Sequence, residues 1–264
     1  MPAVSFKCSA GTIPIKTCIQ ACPNPAGRCL SLPTLIEVGW SREYRGSFST
    51  TLLLMPTRQA YLTLTADYAI DPSESAFLLL GTKAHRRLEQ VAKKVKELQS
   101  EMPITGEVNS TLDLLEPLPD GTYRLVDYKT AGSFAIQKML DGDFGTYAMQ
   151  VNHYRLQAES VSFPVSQMFI QYIARDFTPR NNLPDVAKMA LVKVPFMDNA
   201  FVQGYFDNAR ECLEAAMASG ELPPICEDRW NSDGRCKSYC SVNTVCPHGM
   251  KYIEAKAKRE AQNG

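Results

Sequence analysis

The sequence predicts an α/β fold, a mixed central sheet covered by helices, with cysteine-rich metal-binding segments at both ends. Three observations predict it. Helical and strand periodicities alternate along the chain in the order helix, strands, helix, strands, helix. Residues 110–130, "STLDLLEPLPDGTYRLVDYKT", read as two β-branched and leucine-rich runs around a turn. Eight of the nine cysteines fall into two groups, Cys8, Cys18, Cys22 and Cys29 near the start and Cys226, Cys236, Cys240 and Cys246 near the end. The expected division is 1–32 as a cysteine-rich metal-binding segment, 33–222 as the core, and 223–264 as a four-cysteine cap with a basic C-terminal tail.

Residues 1–30 are rich in Cys, Pro and Gly and lack a helical period, as a metal-held loop segment would. Residues 33–70 carry aromatics and leucines in short helical patterns. A long helix follows in "DPSESAFLLLGTKAHRRLEQVAKKVKELQ", where Ala84, Leu88, Val91, Val95 and Leu98 recur every three or four residues and His85 lies at the edge of the stripe. After Pro103 the pattern turns to strands, first "ITGEVN" and then the hairpin. "FGTYAMQVNHYRLQAESV" is helical, with Tyr147, Val151, Tyr154 and Ala158 on one side. "SQMFIQYIARD" and "KMALVKVPF" are strands joined through an Asn-Asn and Pro segment, and "NAFVQGYFDNARECLEAAMASGELPP" is a long helix ended by Gly220 and the prolines. Cys212, on that helix, reads as a buried thiol.

The chain of 264 residues is 45% hydrophobic, enough for one large domain with small appendages. It holds 28 basic and 28 acidic residues, so net charge gives no argument for nucleic acid. Local charge does: "KAHRRLEQVAKKVK" and the tail "MKYIEAKAKREAQ" are both basic, although such runs also form ordinary solvated helix faces. With no apolar run of 18 residues and no basic-then-apolar order at the start, the expectation is a soluble cytoplasmic protein without a membrane partner.

The turn Pro119-Asp120-Gly121 implies a three-residue hairpin loop, which sets Asp113 opposite Asp127, with Lys129 two residues on and on the same face. Opposed carboxylates on a sheet repel. They must share a proton, take a basic side chain, or hold a cation, and a hard ion such as Mg²⁺ or Mn²⁺ wants oxygen ligands of this kind. Lys129 beside such an ion can position a water and offset charge on a phosphoryl oxygen; the plainer reading is a structural ion pair between Lys129 and Asp113.

Asp113 followed by "VDYKT" resembles the PD-(D/E)XK signature of the restriction-endonuclease-like nucleases. "GTKAHRRLE" is similar to the helix carrying a metal-binding histidine in the RecB-like branch, "YAMQVNHY" supplies its Q-x3-Y arrangement, and "PTRQAYL" resembles the arginine segment of CRISPR-associated and phage RecB-like exonucleases. The likeness spans about residues 50 to 250 in the family's order. It implies a restriction-endonuclease-like core over 33–222. His85, Asp113, Asp127 and the carbonyl of Tyr128 would ligate the divalent metal, and Lys129 would act on the water and the scissile phosphate. Gln150 and Tyr154 would support the lysine or the substrate backbone. Glu107 is a secondary acidic candidate, and Ser110 stands where the family more often has glycine.

The cysteine spacings are C-x9-C-x3-C-x6-C and C-x9-C-x3-C-x5-C. Four grouped thiolates suit Zn²⁺ or an iron–sulfur cluster, and spacing does not choose between them. RecB-like exonucleases end in three clustered cysteines and a proline and complete a [4Fe-4S] cluster with an upstream cysteine. Cys236, Cys240, Cys246 and Pro247 resemble that ending, but "LMPTRQ" has no cysteine at the upstream position, so Cys226 or one of the N-terminal four would be the fourth ligand, Cys226 being favoured. A [4Fe-4S] cluster, or Zn²⁺, is thus expected at the C-terminal set and Zn²⁺ at the N-terminal set.

The function implied is a divalent-metal-dependent DNA nuclease, an exonuclease on ends or single strands that uses a metal-activated water. Arg58, Arg86 and Arg87 would contact phosphates. DNA is the implied partner, with a protein partner in recombination or CRISPR adaptation. The rival is a non-catalytic nucleic-acid-binding module of the same fold, stapled by its metal centres.

Overall fold

The computed structural model describes residues 3–39, 44, 46–176, 188–228 and 230–263. The chain divides into two compact units. One comprises residues 1–46, 55–76 and 209–264, the other 47–54 and 77–208.

The first unit opens with β1 (Ser5–Cys8) and β2 (Gly11–Pro14), an antiparallel hairpin, followed by α1 (Ile15–Gln20) and α2 (Leu32–Gly39). The N-terminal segment, expected to be irregular, is therefore folded. Its strands are only four residues long, too short for a periodicity to register. In the second unit β3 (Phe48–Ser49) leads into α3 (Thr50–Leu53), capped by the Ser49 hydroxyl on the Leu52 N–H. The first unit resumes with α4 (Thr57–Thr65) and β4 (Ala69–Ile70), whose parallel pairing with β1 makes β1 the middle strand of a three-stranded sheet.

The second unit then runs through α5 (Ala76–Ala92, Ala76 itself belonging to the first unit), β5 (Gln99–Ile104), β6 (Val108–Pro117), β7 (Tyr123–Ala131), α6 (Ser133–Leu140), α7 (Thr146–Ser160), β8 (Val165–Ala174) and β9 (Met189–Lys193). Among the described residues its six strands form a mixed sheet in the order β3-β6-β7-β8-β9, with β5 also on β6. β6 is antiparallel to β5 and β7, β7 is parallel to β8 across the α6–α7 crossover, and β9 returns antiparallel. The Asn-Asn and Pro segment between β8 and β9 lies outside the described residues. α8 (Asn199–Ser219) closes this unit with its first half and begins the last part of the other with its second. Gly220 follows at φ 71°, and α9 (Pro247–Asn263) ends the chain, so the basic tail is a helix.

Three expectations change here. α5 stops at Ala92, before Val95 and Leu98, because the chain tightens into i→i−3 bonds from Lys94 to Val91 and from Val95 to Ala92 and turns into β5. Pro103 lies inside β5 instead of preceding the strands, which an edge strand tolerates, and within "ITGEVN" Ile104 ends β5, residues 105–107 turn, and Val108 and Asn109 begin β6. Both cysteine-rich ends fall in one unit with residues 55–76, so the division in space is not the three consecutive segments expected. The reason is pairing: β1 pairs with β4, and Arg58 Nε donates to the carbonyls of Pro223 at 2.6 Å and Pro224 at 3.1 Å.

One face of the large sheet packs Leu112, Leu125, Met168, Ile170 and Tyr172 against Val151, Tyr154 and Ala158 of α7. The other packs Leu114, Val126 and Tyr128 with Ala92 and Leu88 of α5. Burying such a set of leucine, isoleucine and aromatic side chains, at about 1.5–3 kcal/mol each, holds the two helices on opposite faces of the sheet. α5 comes close to β7 through a glycine, since a Cβ on Gly81 would lie 3.1 Å from the Thr130 hydroxyl.

Candidate active site

The hairpin register expected from the turn is present. Leu114 pairs with Val126, Leu115 with Leu125, Glu116 with Arg124 and Pro117 with Tyr123. Gly121, at φ 82°, closes the loop, and the Asp120 carboxylate accepts from the Thr122 N–H at 2.9 Å. The backbone ladder ends one pair short of the aspartates. At that point the Asp113 carboxylate replaces a backbone acceptor, taking the Tyr128 N–H at 2.7 Å. The expected face-to-face aspartate pair is therefore corrected: Asp113 lies in the plane where the two strands stop pairing. The N–H and C=O of one strand residue point the same way, so the Tyr128 carbonyl is directed to that side as well.

β6 rotates at the same position. Leu112 packs in the core under α7, whereas Leu114 packs under α5, although residues two apart on a regular strand share a face. β5 follows it. Leu98 packs with Leu114, Met102 packs on the α7 side, and between them Glu101, at the register position opposite Asp113, has φ 49°. A non-glycine residue there is strained, by on the order of 1–3 kcal/mol. The rotation turns three donors toward one point: ligand atoms of His85, Glu101 and Asp113 all lie within 4.8 Å of one another. His85 comes from α5, its Nδ1 3.5 Å from Asp113 Oδ1 and its ring edge-on to Tyr128.

Asp127 is only 1% exposed. Lys129 Nζ lies 2.8 Å from its Oδ2 and donates to its Oδ1 at 3.1 Å. Oδ2 has the ammonium's charge beside it but no aligned hydrogen bond, leaving a buried carboxylate oxygen with acceptor capacity unused. Burial, with a contribution from Asp113, pushes the Asp127 carboxyl up to about 6 against the pull of Lys129. Burial works to lower the Lys129 pKa, but Asp127 and then Asp113 outweigh it, and the net shift is upward. The lysine is thus held as an ammonium. The His85 pKa is raised, first by its hydrogen bond to Asp113, with burial opposing.

α7 covers this group. Tyr147 places its ring 5.4 Å from Lys129 Nζ, and Gln150 Nε2 donates to the Tyr154 hydroxyl at 2.7 Å, both residues being buried. Burial raises the Tyr154 pKa and Asp127 adds to it, so the phenol stays protonated within the field of the site.

A sequence model of the PD-(D/E)XK nuclease superfamily matches residues 53–247. The chain belongs to the PD-(D/E)XK nuclease superfamily. Comparison with curated proteins gives no match. Among solved structures, that of SSO0001 is similar in fold, with a TM-score of 0.52 at 17% identity over 82% of this chain and 93% of that one.

As a PD-(D/E)XK superfamily member the chain is expected to use Mg²⁺ or Mn²⁺, and its residues fit a hard cation: two carboxylates and an imidazole meet at one point, with the unused Asp127 oxygen on the next strand. Glu101 was missed in the sequence because reading the strands as starting after Pro103 hid its register. Glu107, the secondary acidic candidate, sits exposed in the turn between β5 and β6, away from this group. Arg86 and Arg87 are exposed on α5. Arg58 Nε donates to the Pro223 and Pro224 carbonyls and so ties α4 to the segment leading to Cys226.

No cysteine is in a disulfide. The Cys236 pKa is raised by burial and then by Cys226 and Cys240, and the Cys240 pKa by burial and then, in part, by Cys226 and Cys246. Cys240 and Cys246 also pack with Leu62, Tyr68 and Val242. Among the described residues no three of the sulfurs lie within 4.8 Å of one another. Cys212 is exposed, not buried, because it lies on the outer side of α8 next to the inward Leu213.

Proposed function

We propose that the protein is a divalent-metal-dependent deoxyribonuclease of the RecB-like kind, acting as an exonuclease on DNA ends or single strands. The observation that carries this reading is the meeting of His85, Glu101 and Asp113 beside a buried Asp127 oxygen that lacks a hydrogen bond, with the Lys129 ammonium 2.8 Å from it. His85, Glu101, Asp113, Asp127 and the Tyr128 carbonyl would hold Mg²⁺ or Mn²⁺. A divalent ion there supplies positive charge beside the scissile phosphate and lowers the pKa of a neighbouring water. Lys129, kept protonated by its carboxylate neighbours, turns from Asp127 toward the phosphate and offsets charge on its oxygens as the bond breaks. Gln150 and Tyr154, buried and bonded to each other, would support the lysine or the substrate backbone from that side.

Two further features support a single-stranded substrate. Phe134, 77% exposed, follows β7 closely with Lys138 over its ring, and Arg175 lies 3.9 Å over the ring of Phe77 at the start of α5. Exposed aromatic faces beside cations are platforms on which unpaired bases stack. Arg86 and Arg87 would add phosphate contacts, making binding salt-sensitive. Recombination or CRISPR adaptation is the setting this reading suggests, with a protein partner there.

The test is Lys129→Met assayed on end-labelled single- and double-stranded DNA with Mg²⁺ or Mn²⁺. Degradation should fall by about 10²–10³-fold while circular dichroism is retained. Undiminished divalent-dependent degradation would remove Lys129 from the reaction and return the fold to a binding role.

A further inference from the structure

The N-terminal cysteines are remote in sequence from the carboxylate group, and the proposed reaction makes no use of them. Cys8 ends β1 and pairs with Gly11, whose φ of 106° closes the hairpin tip. The hairpin runs directly into α1, tied by the Ile15 N–H to the Val4 carbonyl at 3.0 Å, and α1 carries Cys18 on its buried side with Ile15. The chain leaves α1 at Ala21, and the loop from Cys22 to Cys29 is tied back twice. Asn24 Nδ2 donates to Ser9 Oγ at 3.2 Å, next to Cys8, and Arg28 donates to the Ile19 carbonyl at 3.0 Å, next to Cys18. The two ties draw Cys22 and Cys29 toward the thiols already held by the hairpin and the helix. Cys22, Cys29 and Cys8 all lie within electrostatic range of Cys18. None is in a disulfide.

A set of four thiols without a carboxylate matches a soft, tetrahedral ion and not Mg²⁺ or Mn²⁺. We propose that Cys8, Cys18, Cys22 and Cys29 bind one Zn²⁺, separate from the cation of the reaction and from the centre at the C-terminal cysteines. Zn–S bonds of about 2.3 Å would set the sulfurs about 3.8 Å apart, closer than any three of them lie here, so loading contracts the set. Cys18, buried, is the anchor, and the exposed Cys29 with the half-buried Cys8 and Cys22 close on it. The hairpin itself does not wait for the ion: Phe6 and Ile15 pack so tightly on α2 that a Cβ on Gly39 would lie 2.8 Å from Ile15. What the ion orders is the loop between α1 and α2, in keeping with the coupling of metal binding to local folding.

The full chain, purified without chelator, would be assayed for zinc and iron per chain as wild type and as Cys22→Ser/Cys29→Ser. Loss of one zinc per chain with iron and visible absorbance unchanged supports the site, as does faster tryptic cleavage after Arg28. Unchanged zinc, or loss of iron in its place, overturns it. Should the variant be insoluble, thiol alkylation mapped by mass spectrometry in the wild type decides. Cys29 should be shielded as purified and modified at least about tenfold faster after zinc removal, whereas equal rates would overturn the assignment. None of these readouts depends on nuclease activity.

Discussion

Substituting Asp113 separates what its carboxylate does for the fold from what it does for a cation. Its Oδ2 is the acceptor for the Tyr128 N–H at 2.7 Å, and its Oδ1 is 3.5 Å from His85. Asp113→Ala leaves that N–H without an acceptor, in a side-chain environment only 11% exposed, and an unmade hydrogen bond of this kind costs about 1–3 kcal/mol. For a protein of this size that is a fall in Tm of roughly 2–12 °C. Asp113→Asn keeps an oxygen for the N–H and removes one negative charge beside Asp127, so its stability without metal should stay within about 1 kcal/mol of wild type. A cation at 100 times its Kd stabilises the native state by about 2.7 kcal/mol, so Mn²⁺ should raise the wild-type Tm by roughly 5–10 °C and that of Asp113→Asn hardly at all. Differential scanning calorimetry with and without Mn²⁺, beside degradation of labelled DNA, reads both quantities. An Asp113→Asn protein with the wild-type Mn²⁺ response and activity would refute the cation site, and a wild-type Tm in Asp113→Ala would refute the hydrogen-bond argument.

Glu101→Gly should relieve the φ of 49° and leave stability equal to or above wild type, while weakening Mn²⁺ binding by about tenfold or more; isothermal titration calorimetry showing unchanged affinity would exclude Glu101 as a ligand. His153 is 3% exposed, bonded through Nδ1 to the Thr50 hydroxyl at 2.9 Å and stacked on Phe206; burial lowers its pKa to about 4, with Asp207 pulling the other way. The unfolded chain takes up this proton near pH 6.5 and the folded chain only near 4, so the unfolded state binds more protons in between and stability falls as pH drops through that window, by about 3 kcal/mol in all. Urea denaturation of wild type and His153→Gln at several pH values should show a shallower acid limb in the variant, and parallel limbs would refute the assignment.

The sequence by itself determined the hairpin and its register, because a Pro-Asp-Gly turn with φ > 0 at Gly121 allows one loop length and the apolar residues on both arms must be buried. It also determined the helix that carries His85, the placing of Asp127 and Lys129 on one face, and the gathering of the cysteines into two sets; that Lys129 pairs with a buried Asp127, and not with Asp113 beside a solvated Asp127, was decided by the fold. What the sequence left undetermined was everything that depends on a strand departing from its period. The rotation of β6 between Leu112 and Leu114, matched in β5 at Glu101, depends on neighbouring strands and on two helices packed against opposite faces of the sheet. A local pattern carries no record of that. Tertiary structure alone decided that Asp113 would end the ladder by taking the Tyr128 N–H, that Glu101 and not Glu107 would join His85, and that Arg58 would hold the segment before Cys226. In each case the partner lies on another element, which a local sequence pattern does not specify.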